Sequence, residues 1–226
     1  MAVTIALKPS PRVPGTQRVK SAATRAALIA AGRECFGSVG YHETGTHDLV
    51  ALASVTRGAL YHHFGDKKDL FEAVFLQMDE ELNRDAHAAV APLSGDTWRQ
   101  LLIALETYLR LRAESREAQR ILLLDGPAVL GWERWRELQV SSLRGMGQTL
   151  WMLMDQSVIE RGSPETLALL IFAAMNEAAL SIAHATDPKE ALSAHTASLL
   201  VLVKGLKLTP GAADAANDAL NASEDK

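Results

Sequence analysis

Apolar residues recur at helical intervals through most of the chain. From Thr24, read as an N-cap, Leu28, Ala31, Cys35, Phe36 and Val39 share one face, and the pattern stops at Gly40. A short helix is expected over 45–53, a break at Ser54 and Val55, and a second short helix over 56–64. In that second helix Leu60 and Phe64 lie four apart and point inward. Thr56, Arg57, Ala59, Tyr61, His62 and His63 are left facing outward. Asp66 then caps a long helix through Leu70, Val74 and Met78 that Pro92 ends. Further helices are expected at 96–113, 116–125, 131–161, 164–186 and 188–207, punctuated by Gly126-Pro127, Gly162-Ser163-Pro164 and Asp187-Pro188. The pattern amounts to about nine helices and an all-α chain.

Composition supports that reading. With 226 residues, 48% hydrophobic and only 5% aromatic, the chain has ample material for one or two helical cores and little for sheets. Residues 1–20 hold Pro9, Pro11, Pro14 and Gly15 among Arg12, Arg18 and Lys20, and are expected to form a flexible arm. Two readings of it stand: a disordered terminus, or a basic arm that touches DNA outside the main contact. Residues 209–226 are rich in Ala, Asn and Asp and are expected to be a disordered tail.

Charge is unevenly distributed. The net charge is −4, yet residues 1–68 carry nine Lys/Arg against four Asp/Glu, a balance of +5 that leaves −9 for the rest. A basic head can meet phosphate, and an acidic body must be held away from it. The lone Cys35 lies on an apolar stripe and reads as a small core residue. No compact apolar signal-peptide region precedes it, and apolar runs such as 199–203 fall short of the roughly 20 residues of a membrane span. The expected compartment is the cytoplasm, with no membrane.

The two short helices form a helix-turn-helix layout. Small residues at Gly58 and Ala59 let the second helix enter the roughly 12 Å major groove. Arg57 has the fork to reach guanine or hold a phosphate, and Tyr61 and His62 offer ring atoms and one polar group each. The sequence Gly40-Tyr41-His42-Glu43-Thr44, then Asp48-Leu49-Val50-Ala51, then Val55-Thr56-Arg57-Gly58-Ala59-Leu60-Tyr61-His62-His63-Phe64, then Lys67, resembles the tetracycline-repressor (TetR) family over residues 24 to about 75. A Leu123-Asp125-Gly126-Pro127 stretch followed by Trp132-Glu133-Arg134-Trp135 resembles one actinobacterial-type subgroup.

The resemblance implies that Thr56, Arg57, Gly58, Ala59, Tyr61 and His62 read DNA, while Thr46, His63 and Lys67 hold phosphate. It also implies a DNA-binding domain over 21–68 and a ligand-binding and dimerisation domain over 69–208. Two positions depart from the family pattern: Ser54 stands at a turn that often has Gly, and Gly45 replaces a frequent capping hydroxyl, which Thr44 or Thr46 is expected to supply.

Other chemistry finds little support. The histidines at 42, 47, 62 and 63 lack the spacing of metal ligands, so neither metal nor cofactor is expected. Glu177 and His184 share a helix face without a nucleophile, so no enzyme is expected. Among the aromatic and methionine residues of the body, Tyr108, Trp135, Met146 and Met175 are candidates for lining an effector cavity, with Asp125 and Asn176 as polar groups inside. The bland alternative is ordinary core. Leu167, Leu170, Ile171, Ala174, Ala178 and Ile182, then Leu192, Leu199, Val203 and Leu206, form one stripe on each of the last two helices and are expected to build a two-fold dimer. The expected function is a homodimeric repressor on a palindromic operator, released by a small-molecule effector. The alternative is a regulator controlled by a protein partner or by no effector.

Overall fold

A computed structural model describes residues 14–93 and 95–208. Among these the architecture is entirely helical apart from one isolated antiparallel bridge between Ile159 and Lys207. The expected tail and the first 13 residues of the expected arm lie outside the described residues.

Helix α1 (Pro14–Val39) is longer than its apolar stripe. It begins at a proline, which the first helical turn tolerates because no N–H is needed there. Residues 14–20 are therefore helix and not flexible arm. Thr24 is interior to that helix, donating its hydroxyl to the Lys20 carbonyl at 3.0 Å, and is not its cap. The stripe itself packs as read: Leu28, Ala31 and Phe36 are buried and Cys35 is half-buried against them. Burial, then the charges of Glu34 and Asp48, push the Cys35 thiol above its ordinary value, so it stays protonated and poorly nucleophilic.

Helices α2 (Thr46–Leu52) and α3 (Arg57–His63) pack on α1 around Leu49, Leu60 and Phe64. Ser54 between them adopts the left-handed conformation, φ 53°, while the Ser54 and Val55 amides close back on Ala51 and Val50. The α2 cap differs from expectation. The Thr44 hydroxyl donates to the Gly40 carbonyl at 2.7 Å, and the Asp48 carboxylate accepts from the Gly45 amide at 3.3 Å. Thr56 caps α3, its hydroxyl oxygen accepting from the Ala59 amide at 3.2 Å.

Helix α4 (Lys67–Val90) is capped by Asp66 as expected and packs on α1 on one side and α5 (Thr97–Glu114) on the other. Next, α6 (Arg116–Ala118) runs unbroken into a π-helical segment (Gln119–Asp125) and α7 (Gly126–Leu130). In π register the Leu122 carbonyl looks five residues on for its donor and meets Pro127, which has no N–H. The buried Trp135 indole supplies it instead, at 2.9 Å. Gly126 makes the packing possible: a Cβ there would lie 3.0 Å from the Ile121 carbonyl oxygen and 3.0 Å from the Trp135 ring.

The single helix expected over 131–161 is two, α8 (Trp132–Leu138) and α9 (Val140–Asp155), with Gln139 between them. Helices α10 (Pro164–Ala183) and α11 (Pro188–Lys204) complete the body, so the described residues hold eleven α-helical elements, one of them the three-residue α6, where about nine were expected. By length and composition α10 is apolar enough to cross a membrane, with mean hydropathy 1.7, which exceeds the expectation from short apolar runs. Here it is a central packing element, in contact with α5, α9 and α11.

Candidate nucleic-acid interface

The face of α3 turned away from Leu60 and Phe64 is open. Arg57, Gly58, Tyr61 and His62 are exposed, Thr56 at the cap is exposed, and Ala59 and His63 are half-buried. Arg57 and Tyr61 sit one turn apart as a pair, Nη2 donating to the phenol oxygen at 3.5 Å and the guanidinium carbon 5.7 Å from the ring centre. His62 and His63 stand edge to face, 5.3 Å between ring centres. Arg25, exposed on α1, lies 5.2 Å over the Phe64 ring and adds a cation beside this surface. Thr46 is half-buried at the start of α2.

Lys67 is placed differently from a free phosphate ligand. Its ammonium donates to the carbonyls of Tyr41 at 2.8 Å and Thr44 at 2.9 Å and lies 4.2 Å from the Tyr41 ring centre. Two of its three N–H groups thus fasten the loop between α1 and α2.

Among the described residues, two partly open cavities of the body hold expected pocket residues. The first, about 170 Å³, lies among α4, α5, α9 and α10 and is lined by Tyr108, Met146, Met175, Phe172 and Asn83 among others. The second, about 320 Å³, lies under α8 and is lined by Trp135, Asn176, Leu123, Gln139 and Phe172 among others. Five of the six expected pocket residues therefore border a cavity, divided between two spaces with Phe172 on both. Asp125 borders neither cavity, because its carboxylate accepts the Tyr41 backbone N–H at 2.8 Å.

Sequence reading missed the polar residues that organise these spaces. Asp79 is buried on α4, and its carboxylate accepts from the Tyr108 hydroxyl at 3.0 Å, the Ser142 hydroxyl at 2.9 Å and the Asn83 amide at 3.0 Å. Burial pushes the Tyr108 phenol far above its ordinary value; the Arg112 charge opposes this and Asp79 reinforces it, so Tyr108 remains a donor. Arg112 is buried on α5. The available signal was position: Asp79 falls between Phe75 and Leu82, and Arg112 follows Leu105 and Tyr108, each on an apolar stripe where a charge has no ordinary place.

Of the expected dimer residues, Ile171, Ala178, Ile182, Leu199 and Val203 are buried in the chain's own core, out of reach of a partner. Leu167, Ala174, Leu192 and Leu206 are half-buried, and Leu170 is 61% exposed. The apolar surface that α10 and α11 leave open consists of Leu170 with Ala173, Ala194, Ala197, Val201 and Leu202, the last two 69% and 68% exposed.

An exposed cationic and aromatic helix, set by a tight turn on a small three-helix base beside a larger helical body with partly open cavities, defines the helix-turn-helix class. Residues 28–74 match the profile of bacterial regulatory proteins of the tetR family, and residues 98–206 match the tetracyclin repressor-like C-terminal domain. A solved TetR-family transcriptional regulator from Pectobacterium atrosepticum is 38% identical, with a TM-score of 0.73 over 85% of this chain and 98% of that one. The chain belongs to the TetR family of bacterial transcriptional regulators, a class of DNA-binding proteins and not of enzymes.

Among curated relatives, the transcriptional regulator TtgR of Pseudomonas putida is 36% identical over 104 residues, 44% of this chain and 49% of its own length. The repressor Rv1474c of Mycobacterium tuberculosis is 33% identical over 124 residues, 54% of this chain and 63% of its own. The chain thus spans about half to just under two thirds of these two relatives, and about a quarter of the repressor BepR of Brucella suis. The structure of RolR in complex with its ligand resorcinol shares the fold at 18% identity, with a TM-score of 0.64 over 82% of this chain and 89% of RolR.

Proposed function

We propose that this chain is a homodimeric repressor that holds a palindromic operator through two copies of α3 and lets go when a small molecule enters the body. The observation that carries this reading is an open α3 face on a head whose α1–α2 corner is bonded, through Tyr41 and Asp125, to the segment that borders one of the body's cavities. Arg57, Tyr61 and His62 are the residues that read base edges. Thr56, Gly58 and Ala59 allow close approach, and Thr46, His63 and the remaining N–H of Lys67 orient the head on phosphate. The exposed strip on α10 and α11 is the dimer face: small residues allow close helix approach, and a two-fold axis makes a four-helix bundle of it.

On this reading α1 to α3 form the DNA-reading domain and the rest from α4 onward forms the effector and dimer domain. Release passes through α4, which the Asp79 cluster ties to α5 and α9 at the first cavity. Two heads must sit about 34 to 36 Å apart, or a multiple of that, to engage both half-sites, so a few ångströms of splay lose both. Relatives named as repressors support the direction of control. The experiment is selection of an operator from random DNA, followed by titration calorimetry of a bound compound against free and operator-bound protein. Reciprocity requires the operator to weaken the compound by the factor the compound weakens the operator. Equal affinity in both states would exclude release by that compound.

A further inference from the structure

Arg112 is the largest fully buried side chain among the described residues, 1% exposed. No carboxylate lies within 4.0 Å of its guanidinium there. Asp79, the other buried charge, has both oxygens occupied by Tyr108, Ser142 and Asn83. The guanidinium rests over the Tyr108 ring at 5.2 Å and the Phe172 ring at 5.8 Å, and its Nη1 donates to the Asn176 side-chain oxygen. Nε and Nη2 are buried and have no partner.

Those two donors are neighbours. The N–H of Nε and the adjacent N–H of Nη2 run parallel along one edge of the guanidinium, the fork that matches the two oxygens of a carboxylate. Burying a guanidinium with unsatisfied donors is costly, so an open edge of this shape is complementary to an oxyanion, and the apolar surroundings favour the singly charged carboxylate over phosphate. Phe172 and Asn176, which touch the guanidinium, also border the 320 Å³ cavity. In the wall of that cavity Gln139 donates Nε2 to the Trp135 carbonyl at 2.9 Å and leaves Oε1 buried without a donor. One open acceptor therefore lies in the wall of a mainly apolar space that Trp135, Leu123 and Phe172 line together with Arg136 and Glu177, and the open cationic fork of Arg112 lies behind two residues of that wall, Phe172 and Asn176.

We infer that the cavity under α8 takes a carboxylic acid with a flat apolar body and an O–H or N–H donor. The carboxylate reaches the Nε/Nη2 edge of Arg112 past Asn176, which now holds the neighbouring Nη1, and the donor reaches Gln139 Oε1. This inference rests on the effector reading only for the claim that the ligand controls DNA; the binding chemistry stands apart from it.

The test uses the full chain and calorimetry with 4-hydroxyphenylacetate, salicylate and indole-3-acetate, each against its own carboxamide, on wild type, Arg112→Met and Arg112→Gln. At least one acid binds wild type about tenfold or more tighter than its amide, the ratio expected of a charge-assisted bidentate pair. Both variants lose that ratio, while free Arg112→Met melts no lower than wild type because it removes an unpaired buried charge. If Arg112→Met fails to fold, the acid-to-amide ratio in wild type still decides. Equal affinity of acid and amide, full acid affinity in Arg112→Gln, or no binding by any acid of the panel overturns the inference. Operator titration separates the two claims. An acid that binds through Arg112 without changing operator affinity sinks release by that acid and leaves the anion site; a neutral compound that releases the operator while the acids do not bind does the reverse.

Discussion

The Asp125 carboxylate accepts the Tyr41 backbone N–H at 2.8 Å, joining residues 84 apart in sequence across the seam between head and body. Gly40 beside it sits at φ 92°, and a Cβ there would lie 3.3 Å from the same carboxylate oxygen. Around this bond Arg120 donates to the Ser38 carbonyl at 2.7 Å, and Arg33 spans Glu117 and Glu81. The corner that starts the helix-turn-helix is thereby fastened to the π-helical segment, one wall of which borders the cavity under α8.

Asp125→Ala should cost about 1–2 kcal/mol in thermal unfolding, as expected for a part-buried charge-assisted bond. It should also shrink the change in operator affinity that a bound ligand produces, because the head is then less firmly attached to the segment the ligand touches. Melting curves and operator titrations with and without ligand measure both. An unchanged melting temperature together with undiminished release would show the bond to be incidental.

Arg57→Ala and Tyr61→Ala should each relax operator selectivity by about 1–3 kcal/mol, the usual worth of a base-reading contact. Thr46→Ala should weaken selected and random DNA alike and flatten the salt dependence. Fluorescence anisotropy at several salt concentrations separates the two patterns. Selectivity retained in Arg57→Ala would remove α3 as the reading helix.

Ser54→Gly should stabilise the fold. A serine held at φ 53° carries about 1–2 kcal/mol of steric cost that glycine does not, offset in part by glycine's greater freedom when unfolded. A net gain of about 0.5–1 kcal/mol corresponds to roughly 1–4 °C in a chain of this size. A lower melting temperature would mean that the Ser54 side chain contributes more than its backbone costs.

Leu202→Asp combined with Val201→Asp should yield a folded monomer, since both side chains are exposed in the single chain. Ile182→Ala should leave the dimer intact and cost about 2–5 kcal/mol of stability, because that residue fills the chain's own core. Sedimentation velocity paired with thermal unfolding distinguishes the two. A wild-type chain that sediments as a monomer at micromolar concentration, with and without operator, would exclude the dimer.

The start of α4 was legible because its cap is local chemistry. Asp66 accepts the Asp69 N–H, as its place before an amphipathic run implied, and Asp96, Ser163 and Asp187 cap their helices in the same way, whereas Thr24 lies inside α1 and Thr44 turns back to Gly40. The dimer stripe was not, because periodicity marks the face that is buried and not what buries it. Ile171 and Val203 belong to the chain's own core, and the open surface at Val201 and Leu202 lies off that stripe. Asp125 reads as a pocket group from its apolar neighbours, since nothing nearby in sequence announces a partner 84 residues away. Lys67 likewise reads as a phosphate ligand until its contacts with the carbonyls of Tyr41 and Thr44 are placed.

The Leu122 carbonyl, denied a backbone donor by Pro127 and served by the Trp135 indole, makes residues 127 and 135 a single choice. Replacing the tryptophan alone strands a buried acceptor, whereas an N–H restored at 127 alone gives a carbonyl that can accept two bonds a second donor. The order of the two changes therefore matters: a lineage leaving this arrangement keeps the carbonyl served if position 127 changes before position 135, and not if the tryptophan goes first. What looks in the sequence like a proline and a tryptophan eight positions apart behaves as one inherited unit.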